Sequence, residues 1–237
     1  VTPPEGRLAH SETLPFQLLM ICACALMLVA VDVRSSAASP LAKGSPPLPP
    51  FRSSVAPVTR SEVRYSWRPG CPVPPGALRL VELSFYGFDR RPHIGKMVVN
   101  VSVVSAVTSV FSRLYAARFP IRRMVPVDYF RGSDPASMAA DNTSGFNCRR
   151  AVTTGPPQWS VHAYGEAIDV NPVENPYIEG GVVQPKAGAN FVNRSKVRPG
   201  MAEPGGTLVD AFASVGWYWG GRWTASPDYQ HFSSTGD

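Results

Sequence analysis

Two histidines and two aspartates carry the chemistry that this sequence offers. His162 and Asp169 lie in Ser160-Val161-His162-Ala163-Tyr164-Gly165-Glu166-Ala167-Ile168-Asp169, and Asp228-Tyr229-Gln230-His231 comes near the end of the chain. Two neutral imidazoles and one carboxylate make three protein ligands, the number that leaves the fourth tetrahedral position of a zinc ion open to water. A structural zinc would want four ligands, preferably thiolates. Asp228 is left over, three residues before His231, where it can take a proton from that water. The expected chemistry is therefore hydrolysis, with His162, Asp169 and His231 on Zn2+ and Asp228 as the base. The attacked carbonyl oxygen gains negative charge that zinc and a nearby arginine can stabilise, and Asp228 can then protonate the leaving amine.

Taken singly, each residue has a plainer reading. His162 would serve as a loop histidine bonded to backbone, Asp169 as a turn former ahead of Asn171-Pro172, and Asp228 as a surface acid. The combination is harder to dismiss. The chain has only His10, His93, His162 and His231, and two of the three beyond the N-terminal leader stand in segments with an acid at short spacing.

The elements around these residues decide whether they can meet. A separation of seven would put His162 and Asp169 on one side of a helix, but Gly165 lies between them and Asn171-Pro172 follows, so loop then strand is expected. In a strand over 167–170, Ile168 and Val170 point into the core while Ala167 and Asp169 face the other side, and the loop at Gly165 folds His162 back over that face. The last strand is expected at Gln230-His231-Phe232, after a short helix over 207–214 stopped at Gly216. Between them runs an aromatic, glycine-rich segment with Trp217, Trp219 and Trp223, residues of a core or of a groove wall. Its glycines permit close approach of a substrate, which Trp219 is expected to meet.

Upstream, Leu78 to Phe88 reads as a strand ended by Asp89-Arg90-Arg91-Pro92, with a second short strand at Met97 to Val99. Asn100 can cap a helix whose buried face is Val103, Val104, Val107, Val110, Phe111, Leu114 and Tyr115. Strands are expected over 121–127 and 146–152, with a brief helix opened by Asp134 as capping acid and Pro135 at its first position. No internal repeat is visible. The fold class expected is α+β, helices beside a small, largely antiparallel sheet that carries the zinc site.

Composition sets the frame. With 237 residues, 44% of them hydrophobic, the chain can bury one sizeable core. Leu18 to Val31 is fourteen continuous apolar residues, which suits a signal-peptide core and falls short of the ~20 needed to span a bilayer. Ser35-Ser36-Ala37-Ala38 follows as a cleavage site, although the stretch before the run lacks the usual positive charge. An uncleaved membrane anchor is the competing reading. Either way the rest of the chain is expected outside the cytoplasm, secreted, wall-associated or anchored. The expected division is a leader at 1–38, an extended Pro-rich linker at 39–60, and a catalytic domain at 61–237 whose fold starts near Trp67.

Beyond the leader only Cys71 and Cys148 remain, and an exported chain with two thiols points to one disulfide. Two separately buried thiols are the alternative. Removing residues 1–37 raises the net charge from +6 to +7, and a basic exported protein gathers at anionic polymers such as a bacterial wall. Nucleic acid is not expected as a partner, because the basic residues are scattered and no nucleic-acid motif accompanies them.

The pattern S-x-H-x-x-G-x-A-x-D, Ser160 through Asp169, followed by D-x-x-H-F, Asp228 through Phe232, resembles the VanY-type zinc peptidases. These include D-alanyl-D-alanine carboxypeptidases and L-alanyl-D-glutamate endopeptidases of peptidoglycan, which share the fold of hedgehog amino-terminal domains. The likeness runs roughly from Trp67 to the end, and the stretches 141–149 and 167–177 resemble its actinobacterial branch. It implies zinc on His162, Asp169 and His231, Asp228 as base, and peptidoglycan stem peptide as substrate. Family members also supply an arginine for the oxyanion or the substrate carboxylate; Arg149 is preferred here over Arg131. Ser160 either bonds the substrate or shapes the loop. The opposing function class is a wall-binding module on the same fold, with structural zinc and a groove under Trp217 and Trp219. Asp228 argues against it, because a pure binder has no need of a general base.

Overall fold

Residues 47–152 and 156–236 are described by the computed structural model of the chain. The expected leader with its apolar run and expected cleavage site lies outside the described residues, as does the start of the Pro-rich stretch. Among the described residues no helix is long and apolar enough to cross a membrane.

Large apolar side chains from Leu78 onward dictate the central strand. The elements run in the order β1 (Ser53–Pro57), β2 (Leu78–Gly87), β3 (Pro92–Asn100), α1 (Val104–Ala116), β4 (Pro120–Ile121), β5 (Arg123–Met124), α2 (Asp134–Ala139), β6 (Asn142–Thr143), β7 (Ala167–Asp169), β8 (Tyr177–Glu179), β9 (Val182–Gln184), α3 (Thr207–Ala213), β10 (Tyr218–Trp219) and β11 (His231–Ser233). β2 pairs antiparallel with both β1 and β3, and β4 adds to it in parallel. A second sheet has the order β10-β11-β7, antiparallel throughout. The parallel pairs β2/β4 and β5/β6 are the exceptions to the antiparallel expectation.

The helix foreseen after Asn100 forms as its spacing requires. The Asn100 side chain accepts from Ser102 N at 3.1 Å, opening a 3-10 turn that runs into α1. Val107, Val110, Phe111, Leu114 and Tyr115 are its buried face. Val107, Val110, Phe111 and Leu114 share one core with Val81 and Leu83 of β2, Leu208 and Phe212 of α3, Ile168 of β7 and Phe232 of β11. The core thus clamps the strands that bear Asp169 and His231, and Phe212 stacks on Phe232 at 4.1 Å between centroids.

Several expectations on boundaries need correction. The linker expected through residue 60 supplies β1, paired in register from Ser53↔Leu83 to Pro57↔Arg79. β1 belongs to the same sheet as β2 and β3, so the folded unit begins well before Trp67. Proline content misled because an edge strand tolerates proline at its end. The strand expected over 121–127 is two fragments, β4 and β5, with Arg122 between them, and Val127 begins a 3-10 turn. Over 146–152 there is no strand, only a single bridge from Arg150 to Trp159. The strand expected at Met97 to Val99 is longer, running from Pro92.

Cys71 and Cys148 form the expected disulfide, with Cα atoms 5.9 Å apart. It fastens the segment entering β2 to the stretch just before Arg149. Arg68 reinforces this by donating from Nη1 to Cys148 O at 2.7 Å.

Candidate metal centre

The site is built on one strand pair. His231 of β11 lies directly opposite Asp169 of β7. On its other edge Asp169 exchanges both backbone hydrogen bonds with Ser144, at 2.9 and 3.0 Å, so its position is fixed from two sides. The alternation expected along 167–170 holds, since Ile168 and Val170 belong to the core while Asp169 turns toward the histidines.

His162 arrives from a 3-10 turn, Val161–Tyr164. Ser160 caps that turn by accepting from His162 N at 3.3 Å. Gly165 ends it in the left-handed conformation, φ 73°, and its backbone closely approaches Asn100; a Cβ there would lie 2.7 Å from Asn100 N. Asn100 N donates to Gly165 O and its side chain donates to Tyr164 O. One asparagine therefore both caps the start of the core helix segment and pins the turn that presents His162.

The three side chains converge. His162 Nδ1 donates to Gly145 O at 2.7 Å, which leaves Nε2 as the nitrogen that could serve a metal ion. That atom lies 3.2 Å from Asp169 Oδ1 and 3.1 Å from His231 Nδ1, and His231 Nδ1 is 3.3 Å from the same Asp169 oxygen. Metal–ligand bonds of about 2.0–2.1 Å in tetrahedral geometry put ligand atoms roughly 3.3 Å apart, so the triangle already has the size of one face of such a shell. All three residues are buried, at 2%, 3% and 5% exposure. The cluster can hold a metal ion. Burial acts to raise the Asp169 carboxyl, but His162 and His231 beside it prevail and hold it well below the usual carboxylate range.

Asp228 stands beside this triangle. Its carbonyl accepts from His231 N, and its own N–H donates to Gly220 O at 3.1 Å. Gly220 is required there, because a Cβ would lie 2.9 Å from Asp228 O. Asp228 Oδ1 is buried with no hydrogen-bond partner, an oxygen that costs free energy unless something not of the chain satisfies it. Burial, then the Asp169 charge, pushes the Asp228 carboxyl up to about 7 against the pull of His231 and Arg149.

Asp228, His231, Arg149 and Ser160 open onto one cavity of about 680 Å³. Arg149 Nε is 2.9 Å from Asp134 Oδ2, and its side chain is 26% exposed. Burial alone would lower the guanidinium, but Asp134, Asp169 and Asp228 outweigh it and keep it charged. Arg131, the alternative arginine, is exposed at the C-terminal end of a 3-10 turn and does not line the cavity. Ser160 shapes the loop by capping the turn, and it also lines the cavity.

Residues 154–234 match a family model for D-alanyl-D-alanine carboxypeptidase. The matched stretch contains His162, Asp169, Asp228 and His231, and supports a peptidase of that kind. Neither a curated protein nor a solved structure matches the chain.

Trp219 requires a correction. It is 7% exposed within the core, donates from Nε1 to Tyr229 O at 2.9 Å, and does not line the cavity; Trp217 is likewise core. Strand parity explains this, since Trp219 in β10 sits opposite the core residue Phe232. Trp223 lines the cavity instead, its ring 5.4 Å from that of His231. Asp134 is not the cap of α2. Ser133 caps α2 by accepting from Ala136 N, and this leaves the Asp134 carboxylate for Arg149. The Gly145 carbonyl that orients His162 gives no signal in a sequence, because any residue supplies a carbonyl.

Proposed function

We propose that the protein is a zinc-dependent peptidase that hydrolyses peptide bonds of peptidoglycan stem peptides, of the D-Ala-D-Ala carboxypeptidase or L-Ala-D-Glu endopeptidase type. The observation that carries this is the buried His162–Asp169–His231 triangle, with sides of 3.1–3.3 Å, beside an unsatisfied carboxylate oxygen of Asp228. A structural site would close the coordination shell with a fourth protein ligand; among the described residues the cluster contains three. The match over 154–234 supports the substrate class. The α+β arrangement, with the metal site on a sheet, suits the hedgehog/DD-peptidase fold.

His162, Asp169 and His231 would hold the ion, which when bound supplies an acidified water and a Lewis acid for the scissile carbonyl. Asp228 accepts the proton from the attacking water and delivers it to the leaving amine, a double duty suited to a carboxyl displaced toward neutrality. Arg149, held by Asp134, offers positive charge to the developing oxyanion or to a substrate carboxylate. Ser160 keeps His162 in register and faces the bound peptide. Trp223 forms the wall over His231.

The disulfide supports export, since such bonds persist in oxidising compartments, and residues 1–38 would then act as signal peptide or anchor. The basic net charge suits residence among anionic wall polymers. The test is to incubate the purified protein with defined muropeptides, with and without chelator, and to weigh the products. Loss of terminal D-alanine or cleavage within the stem, abolished by chelator and restored by zinc, is the expected result; intact peptide with zinc present would sink the proposal.

A further inference from the structure

On a chain of net charge +6, the described lining of the cavity holds more acidic than basic side chains. Among its described lining residues, Asp134, Glu166 and Asp228 carry carboxylates, and Arg149 is the one lysine or arginine. Arg149 is committed to Asp134 at 2.9 Å. Asp228 belongs with the metal triangle. Glu166 remains, with no ion-pair partner among the described residues.

This carboxylate is held rather than loose. Ser234 Oγ donates to Oε2 at 3.3 Å and Ser234 N to Glu166 O at 3.1 Å, while the single Ser102 hydroxyl proton is shared between Asn100 Oδ1 at 3.0 Å and Glu166 Oε1 at 3.3 Å. Hydroxyls fix the group without neutralising it. Tyr164, two residues earlier, also lines the cavity and is 39% exposed, an aromatic face on which a cation can rest. Glu166 is three residues before Asp169, so the two Cα atoms are no more than about 10 Å apart, the span of roughly three residues of extended peptide.

We propose that Glu166 is a specificity-determining residue that reads a primary ammonium on the bound peptide, so that preferred substrates carry a diamino acid near the bond that is cut. This rests on the peptidase reading for its substrate, but not for its binding test. The ammonium enters between the Glu166 carboxylate and the Tyr164 ring, drawn by the charge of Glu166 itself.

The test uses the purified full chain and two stem-type pentapeptides that differ only in whether a lysine side-chain amine is free or acetylated. Wild type should favour the free amine roughly fivefold in kcat/KM at low salt, and Glu166→Gln should erase that ratio. The same ratio is read in binding affinity with chelator present, where no turnover is needed. In wild type it should also shrink when salt is raised to roughly 0.5 M, a measurement independent of how any variant folds. Affinity that distinguishes the amines through Glu166 without any cleavage would uphold this proposal and overturn the peptidase reading. Cleavage with the same ratio in wild type and Glu166→Gln would do the reverse. Equal affinities, including no measurable binding of either peptide, overturn the proposal.

Discussion

Asp169 and His231 face each other across β7 and β11, with Asp169 Oδ1 3.3 Å from His231 Nδ1, although 62 residues separate them in sequence. A cross-strand pair is the shortest route by which a sheet can bring two distant residues into ligand distance. His162 then needs only the Gly165 turn to complete the set. Replacing Asp169 by Asn, or either histidine by Ala, should lower zinc affinity more than about 100-fold, exceeding the loss from outer-shell partners. Metal content after dialysis against a weak chelator, read by elemental mass spectrometry, checks this.

Asp228→Ala separates binding of metal from use of it. The variant keeps all three ligands, so zinc content should match wild type while turnover of stem peptide falls about 10²–10⁴-fold, the range for a lost general base. Unchanged turnover would remove Asp228 from its role.

The sequence made these four residues legible because each is a rare type at telling spacing, and because Gly165 and Asn171-Pro172 ruled out a helix between two of them. The face of α1 was legible for the same kind of reason, an apolar period that admits one burial. What stayed hidden depends on long-range pairing. Nothing local distinguishes Trp219, which packs inward beside Phe232, from Trp223, which walls the cavity. Ser53–Pro57 becomes a strand only because β2 offers it an edge.

Arg149 should depend on Asp134. Asp134→Ala leaves a half-buried guanidinium without its 2.9 Å partner, free to swing or to pair with Asp228. We expect kcat to fall roughly tenfold or more with zinc content unchanged, since a group misplaced by about 1 Å can cost up to 100-fold. Steady-state kinetics of Asp134→Ala and Asp134→Asn, with kcat and KM resolved, tests it; the conservative variant should recover part of the loss.

Removing the Cys71–Cys148 crosslink, 77 residues apart in sequence, should cost about 4 kcal/mol by chain entropy. Denaturant unfolding of the double serine variant measures this. An unchanged midpoint at unchanged slope would show that the crosslink adds nothing to stability.

Glu174 gives stability a pH dependence. Burial, then its hydrogen bond and repulsion with Asp141, push its carboxyl up to about 8, while Arg122 opposes. Arg122 Nε lies 3.4 Å from Asp141 Oδ2, so its charge serves Asp141 first. The folded chain thus holds a proton that the unfolded chain has released above its ordinary 4.5, and this contribution is complete below 4.5 and lost as pH rises through about 8. Glu174→Gln resembles the protonated form at every pH. Its stability relative to wild type should therefore grow between roughly pH 5 and 8.5 in denaturant titrations; a constant difference would refute the assignment.

β1 shortens the leash. Arg52 and Ser84 exchange hydrogen bonds at the start of the β1/β2 pairing, and Tyr115 Oη donates to Pro49 O, so the chain is already moored at Pro49. With the leader retained as an anchor, the residues after 38 that remain to bridge bilayer and domain number about ten, reaching no more than roughly 35 Å against roughly 75 Å for the whole Pro-rich stretch. The domain would then be kept within that reach of the lipid surface.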